Sequence, residues 1–452
     1  MGRQLEDFPV ELLNEICSHL CPHCRVEEFS RRSHTALETR RSKAGLAALC
    51  RTSKGLQGIA EPYLYHFVDQ NGGTQSRTLP WLVQRITSRP DLAKHVKRLD
   101  FAQTVACSVP EELVAHLSDA AARCNLNLPD WWHQSWEKAV LVLLELLLLH
   151  TPNASTLHLT PTLYLNFAHF SRSKETLNHA HVLPGLTTLF VKRDAEASNE
   201  WVSIKPLLEA ATNLKRLTLR GSRYRSRYRD FLSDGLTFEH LTDLSFYHCT
   251  FTSAYIGNII IACSRLEVFH ATLEYSPTEH PHFFLAHNED GGTWFSLHTI
   301  MSSLRKHKRT LRVFSFDTSK GRPQLPENSH HFRDFEKLES VQMTLADFKS
   351  VDDTNNPSDT FLIEMLPESI KRLQLVDPAE NITSNLWELN AALDRGSFPN
   401  LVELGINSHA SHDDPGEEKS DVAVQMVALG VAFGLRQGFK FSGVSDVMNE
   451  WR

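Results

Sequence analysis

The sequence predicts an α/β fold in which a small N-terminal helical unit is followed by a long solenoid of strand and helix repeats. Three short amphipathic helical patterns precede residue 67, and they predict the helical unit. After residue 90, one short apolar pattern recurs ten times, and helical stripes lie between several of its copies. Such alternation is typical of a solenoid with parallel inner strands and outer helices.

Composition narrows the class of protein. The formal charge of −7 and the pI of about 6.4 disfavour nucleic acid as a partner. The eight cysteines are scattered, which indicates a reducing compartment, cytoplasmic and/or nuclear. No signal-peptide pattern opens the chain. The most apolar segment, residues 139–149, contains Glu145 and is too short for a membrane span, so it predicts a buried helix and no membrane partner.

The first helical pattern begins near Pro9, which suits the first helical position because its missing N–H has no helical partner there. Glu11 falls in the first turn, where a negative charge meets the positive end of the helix dipole. Cys21 and Pro22 end the pattern. One apolar stripe is expected on this helix, formed by Leu12, Leu13, Ile16 and Leu20.

Two further helices are expected before residue 67. The second pattern covers residues 44–51. Thr52 and Ser53 break it and can cap a third helix. Pro62 is expected to end that third helix and to open a short segment, residues 62–67. Three helices this short bury little by themselves, so the unit is expected to need a partner surface.

These residues, 5–67, resemble the F-box, particularly in its fungal form. The Leu-Pro-x-Glu-Leu-Leu core of that family matches Phe8, Pro9, Glu11, Leu12 and Leu13, with Phe8 in place of the usual Leu. Its later Leu-x-x-Leu-Cys-Arg segment matches Leu46, Leu49, Cys50 and Arg51. The sequence departs from the family in an insert, residues 21–43, which is expected to lengthen a loop and leave the apolar faces intact.

The resemblance implies docking to the small Skp-type adaptor of an SCF (Skp–cullin–F-box) ligase and, through the adaptor, to cullin. An ordinary helical cap on the solenoid is the alternative. The residues expected to bind the adaptor are Leu5, Phe8, Pro9, Leu12, Leu13, Ile16, Leu20, Leu46, Leu49, Cys50, Leu56 and Ile59.

The insert contains a Cys-x-x-Cys pair, Cys21 and Cys24, for which two interpretations stay open. Two thiolates at this spacing are half of a zinc site. Alternatively, the pair is a helix-terminating turn with free thiols, and this interpretation is favoured because a second pair of ligands is not obvious. No cofactor is therefore predicted unless zinc binds here. The nearby candidates for further ligands are Cys17, His23, His34 and Cys50.

The recurring pattern is L-x-x-L-x-L, a form that resembles degenerate leucine-rich repeats. This resemblance implies a horseshoe of parallel inner strands and outer helices. Besides the F-box at 5–67, we expect a helical linker at 68–95, the solenoid at 96–410, and an acidic loop with a C-terminal helical cap at 411–452. The ten copies start at Val96, Ala154, Leu186, Leu214, Leu241, Leu266, Leu311, Leu338, Ile370 and Leu401.

A substrate surface is expected where strand residues point away from the core, beside a cluster rich in Arg and Tyr. Arg side chains match phosphate and carboxylate, so an anionic or phosphorylated protein substrate is one interpretation. A solvated basic loop and a nucleic-acid contact are the alternatives. The expected contact residues are Thr218, Arg220, Arg223, Tyr224, Arg225, Arg227, Tyr228, Arg229, Ser245, Tyr247 and Gln342.

The sequence therefore predicts a non-catalytic substrate-recognition subunit of an SCF-type E3 ubiquitin ligase. It contains no Gly-rich phosphate loop, no HExxH motif and no G-x-S-x-G motif. A leucine-rich-repeat scaffold that acts outside the ligase is the first alternative. An enzyme with a site in the inserts near 102–135 or 272–296 is the second.

Overall fold

The computed structural model describes residues 5–25, 36–69, 78–101, 108–126, 128, 132–134, 136–160, 167, 183–192, 204–221, 236–249, 251, 253–273, 297–317, 332–344, 360–376, 382–407 and 431–435. The chain divides into two compact units. Unit 1 comprises Met1–Leu214, Ser226–Phe231 and Lys440–Arg452, and unit 2 comprises Lys215–Arg225 and Leu232–Phe439.

Unit 1 begins with a short 3-10 turn and three helices that pack against one another. The helices are α1 (Val10–Leu20), α2 (Ala36–Thr52) and α3 (Lys54–His66). Pro9 immediately precedes α1, with an extended ψ of 145°, so it caps the helix and does not form its first residue. The Ser53 hydroxyl accepts a hydrogen bond from the Leu56 N–H at 3.2 Å, which confirms the predicted cap of the third helix.

Two boundaries in this helical unit differ from the prediction. α2 begins at Ala36, inside the segment 21–43 that was expected to be a loop. α3 continues through Pro62 to His66. Pro62 lacks the N–H that would bond to the carbonyl of Gly58, but Gly58 is exposed and water can satisfy that carbonyl.

The rest of unit 1 contains four parallel strands that pair in chain order. They are β1 (Phe67–Asp69), β2 (Arg98–Phe101), β3 (Thr156–Leu159) and β4 (Thr188–Lys192). The helices are α4 (Thr78–Ser88), α5 (Pro90–Ala93), α6 (Glu111–Arg123), α7 (Trp136–His150) and α8 (Lys205–Ala210). The predicted linker at 68–95 is thus helical in α4 and α5, but it also contains most of β1, a strand too short to show an alternating pattern.

Helix α7 is the predicted buried helix, and its residues from Ala139 to Leu148 lie in the core. It packs against α4. None of the helices in the described part of the chain combines the length and the apolar character that a bilayer crossing requires.

Unit 2 contains eight parallel strands, and each pairs with the next in the chain. The strands are β5 (Arg216–Arg220), β6 (Asp243–Cys249), β7 (Val268–Leu273), β8 (Val313–Asp317), β9 (Ser340–Thr344), β10 (Arg372–Val376), β11 (Glu403–Asn407) and β12 (Ala432–Leu435). The helices are α9 (Ser253–Ala262), α10 (Leu297–Leu304), α11 (Phe361–Met365) and α12 (Ile382–Asp394).

Each of the ten predicted repeat copies contains a strand, from β2 to β11, and the three apolar positions of every copy are buried. The middle positions stand in register across unit 2, so Leu217, Leu244, Phe269 and Phe314 are successive neighbours. Phe269 and Phe314 stack with ring centroids 6.0 Å apart. These rows form the core between the sheet and the helices.

The α/β prediction is therefore confirmed as far as strand order and core are concerned, whereas the horseshoe, F-box and leucine-rich-repeat assignments stay predictions. Within the segment 411–452, which was expected to be an acidic loop and a helical cap, the described residues 432–435 form strand β12.

Candidate functional sites

The outer face of α1 carries an exposed apolar surface. Nine large hydrophobic side chains are exposed in the described part of the chain, and five of them fall within the first 16 residues. Leu5 and Phe8 precede α1, and the other three residues belong to it. Grouped exposed apolar side chains make this segment a candidate contact surface, since isolated ones are normal. We call it the docking surface: Leu5 (36% exposed), Phe8 (41%), Val10 (55%), Leu12 (50%) and Ile16 (39%), with the exposed Pro9 among them.

The inner face of α1 packs on the other two helices. Leu13 and Cys17 are its buried residues. Cys17 lies in a small core with Leu46 of α2 and Ala60 of α3. The hydroxyl of Tyr63 donates a hydrogen bond to the Asn14 side chain at 3.3 Å and adds one polar contact between α1 and α3.

The residues predicted to bind the adaptor therefore divide into two groups. Burial differs within the stripe expected on α1, because Leu12 and Leu13 lie about 100° apart on the helix: Leu13 is buried, whereas Leu12 is exposed. Exposed residues are Leu5, Phe8, Pro9, Leu12 and Ile16. Buried or half-buried residues are Leu13, Leu20, Leu46, Leu49, Cys50, Leu56 and Ile59. Five of these, Leu20, Leu46, Leu49, Cys50 and Ile59, belong to the small core between the helices.

The end of α1 forms a second candidate site, where four metal-ligating side chains meet. The ligand atoms of Cys21, His23, Cys24 and His66 all lie within 4.8 Å of one another, and we call this group the Cys–His cluster. The Cys21 and Cys24 sulfurs lie 3.7 and 3.4 Å from Nδ1 of His66. The Cys24 sulfur lies 3.8 Å from Nδ1 of His23. These residues can hold a metal ion, and among the described residues no other group has this property.

The two thiols of the cluster are unequal. Cys21 is buried and Cys24 is exposed. A hydrogen bond from Cys24 lowers the pKa of the Cys21 thiol and outweighs burial, which acts in the opposite direction, while His66 lowers that pKa further. The same pairing raises the pKa of Cys24. Of the two thiols, Cys21 is therefore the one that ionises more readily.

The sequence predicts three of the four cluster residues as candidates, Cys21, His23 and Cys24, but not His66. His66 is the last residue of α3, more than 40 positions after Cys24, and no fixed spacing connects the two. Of the four residues named as further candidates, only His23 joins the cluster. Cys17 lies in the core between the helices, Cys50 lies on α2, and His34 lies outside the described residues.

The predicted substrate residues of unit 2 lie side by side on the sheet, but several are buried. Thr218 pairs with Ser245 in register, and Ser245 pairs with His270. Thr218 and Ser245 are each 2% exposed and Tyr247 is 6% exposed, so they cannot contact a substrate directly as they stand. Short polar side chains on strands about 4.8 Å apart help to screen one another from solvent.

Two other members of the predicted substrate set, Arg220 and Gln342, are half-buried and remain accessible at the sheet. The basic cluster itself, Arg223, Tyr224, Arg225, Arg227, Tyr228 and Arg229, lies outside the described residues. Its interpretation as a receptor for an anionic substrate stays a prediction.

A group of charged side chains in unit 1 was not anticipated. Arg98 donates a hydrogen bond to Nδ1 of the buried His158 at 3.2 Å, and a carboxylate oxygen of Asp100 lies 3.6 Å from the same nitrogen. Burial lowers the pKa of His158 to about 4, and the charge of Arg98 adds to this effect against the opposing influence of Asp100. His158 is therefore a neutral imidazole near pH 7.

Compared with known proteins, the chain matches no protein-family model, and no curated protein matches its sequence.

Proposed function

We propose that the chain is the substrate-recognition subunit of an SCF-type E3 ubiquitin ligase. The docking surface on α1 binds a Skp-type adaptor, and the repeats bind a protein substrate. The chain supplies no catalytic group of its own, because ubiquitin transfer belongs to other subunits of such a ligase.

The observation that carries this proposal is the docking surface. Its exposed residues Phe8, Pro9 and Leu12 match the core of the F-box motif. Burial of apolar area contributes roughly 25 cal/mol per Å², so a segment that exposes five large apolar side chains gains stability from a partner. The three-helix unit behind the surface has the small core that such a docking module needs.

Affinity purification of the tagged chain from its native cells, followed by mass spectrometry, tests the proposal. We expect a Skp-type adaptor and cullin to co-purify in amounts comparable to the chain. Recovery of the adaptor without cullin would instead support the alternative, a repeat scaffold outside the ligase. Recovery of neither would contradict the proposed function.

We also propose that the Cys–His cluster binds Zn²⁺. Two sulfur and two nitrogen ligands suit zinc in a tetrahedral site. Zinc bonds of about 2.3 Å to sulfur and 2.0 Å to nitrogen place neighbouring ligand atoms roughly 3.3–3.8 Å apart. Three sulfur–imidazole separations, 3.4, 3.7 and 3.8 Å, fall in that range, and all four ligand atoms lie within 4.8 Å of one another. With four protein ligands the coordination is complete, so the role is structural.

A further inference from the structure

Helix α1 is held weakly by its own packing. It has 11 residues, and only Leu13 and Cys17 are fully buried. A helix of that length is marginal in water unless tertiary contacts support it. Its outer face contributes nothing to folding, because the docking surface points into solvent. The position of α1 therefore depends on the few contacts of its inner face and on whatever fixes its ends.

The Cys–His cluster fixes the C-terminal end. Cys21 directly follows the last residue of α1 and is its C-cap, and the Cys21 thiol donates a hydrogen bond to the carbonyl of Tyr63 in α3 at 3.5 Å. His66 ends α3 and precedes the first residue of β1. A metal ion on these side chains would therefore join the end of α1 to the junction of α3 and β1.

That junction is itself firmly anchored in unit 1. The carbonyl of His66 accepts a hydrogen bond from the N–H of Lys97 at 3.0 Å, next to strand β2. Lys43 of α2 pairs with Asp69 of β1. The Lys43 ammonium and the Arg98 guanidinium lie over the Phe67 ring, 4.9 and 5.2 Å from its centre. His66 is thus attached to the sheet, whereas Cys21, His23 and Cys24 follow the loosely packed α1.

We propose that zinc on Cys21, His23, Cys24 and His66 clamps α1 onto the α3–β1 junction, and that the clamp is required for α1 to present its docking surface. Metal bonds that close a loop of more than 40 residues reduce the conformational freedom of the unclamped chain. The last step rests on the proposed adaptor role of α1, whereas the clamp itself does not.

The test uses the full chain in three forms: zinc-loaded, treated with a chelator, and with the His66→Ala substitution. Elemental analysis should find one zinc per chain in the first form and none in the other two. Amide hydrogen exchange of residues 10–20 should be at least tenfold faster without zinc, while exchange in the strands of unit 2 stays the same. Affinity for the purified Skp-type adaptor should fall at least tenfold together with the loss of protection.

The matched control is Cys124→Ser. The Cys124 sulfur lies 3.4 Å from Nε2 of His150, so this pair offers one thiol and one imidazole outside the Cys–His cluster. This variant should bind one zinc per chain, exchange the amide hydrogens of α1 as slowly as the zinc-loaded wild type, and bind the adaptor with wild-type affinity. Cys24→Ser, by contrast, should behave like His66→Ala.

Several outcomes would overturn the clamp. Reduced protein that takes up no added zinc, or a disulfide between Cys21 and Cys24 in protein purified without oxidant, would remove the metal site. Bound zinc with unchanged exchange in α1 would show that the ion does not hold the helix. Zinc-dependent protection of α1 in a chain that binds no adaptor in any form would confirm the clamp and contradict the proposed function.

Discussion

The buried imidazole of His158 makes unit 1 sensitive to acid. It accepts a hydrogen bond from Arg98 and lies beside Asp100, and its pKa is lowered to about 4. An unfolded chain would bind a proton on this residue near pH 6.5, whereas the folded chain does not. As pH falls below 6.5, His158 therefore becomes protonated in the unfolded state but not in the folded state. The free energy of unfolding decreases until pH reaches about 4, where the folded state also binds the proton.

His158→Gln should reduce this loss of stability. Between pH 7 and pH 5, the wild-type chain should lose up to roughly 2 kcal/mol more unfolding free energy than the variant. Denaturant unfolding at the two pH values measures the difference. His19→Gln, which changes an exposed histidine of the same unit, is the control and should behave like the wild type. If the unfolding free energy of His158→Gln depended on pH as that of the wild type does, His158 would have the same pKa in the folded and unfolded states.

The sequence predicts those strands and helices whose apolar residues recur at a regular spacing. The ten strands β2 to β11 were predicted because the three apolar side chains of each copy are buried. The first two turns of α2 were missed because the side chains that face inward there include the polar Thr39 and Ser42, which are buried. His66 was missed because a ligand at the end of a helix has no periodic signature.

The cap of α3 gives an element-scale prediction. Ser53→Ala removes the acceptor of the Leu56 N–H and should destabilise unit 1 by about 1 kcal/mol. Ser53→Asp keeps an acceptor and should retain most of the stability. Thr52→Ala is the neighbouring control, because the Thr52 hydroxyl bonds to Ala48 within α2 and caps nothing. Thermal unfolding of the four proteins measures these effects. If Ser53→Ala melted like the Thr52→Ala control, the cap would be energetically irrelevant.

In the whole molecule, the two units contain different candidate sites. Unit 1 holds the docking surface and the Cys–His cluster, and unit 2 holds most of the repeats. The Phe-Pro-x-Glu-Leu-Leu motif predicts the position of helix α1, but it does not show that Leu12 is exposed and Leu13 is buried. That division depends on which side of α1 the other two helices cover, and this information is tertiary.

If α1 binds a Skp-type adaptor, a variant of the docking surface should lose affinity for the purified adaptor. Leu12→Asp with Ile16→Asp places two charges on side chains that are exposed in the free chain, so the fold should survive. In the complex those charges would be buried and unpaired, a cost of several kcal/mol that should weaken binding by about 100-fold or more.

The matched control is Ile261→Asp with Val402→Asp, which changes two equally exposed apolar residues of unit 2. Calorimetric titration of purified adaptor into each protein gives the dissociation constants. We predict wild-type affinity for the control and loss of at least about 100-fold for the docking-surface variant. If both variants bound the adaptor as tightly as the wild type, α1 would not be the adaptor-binding helix.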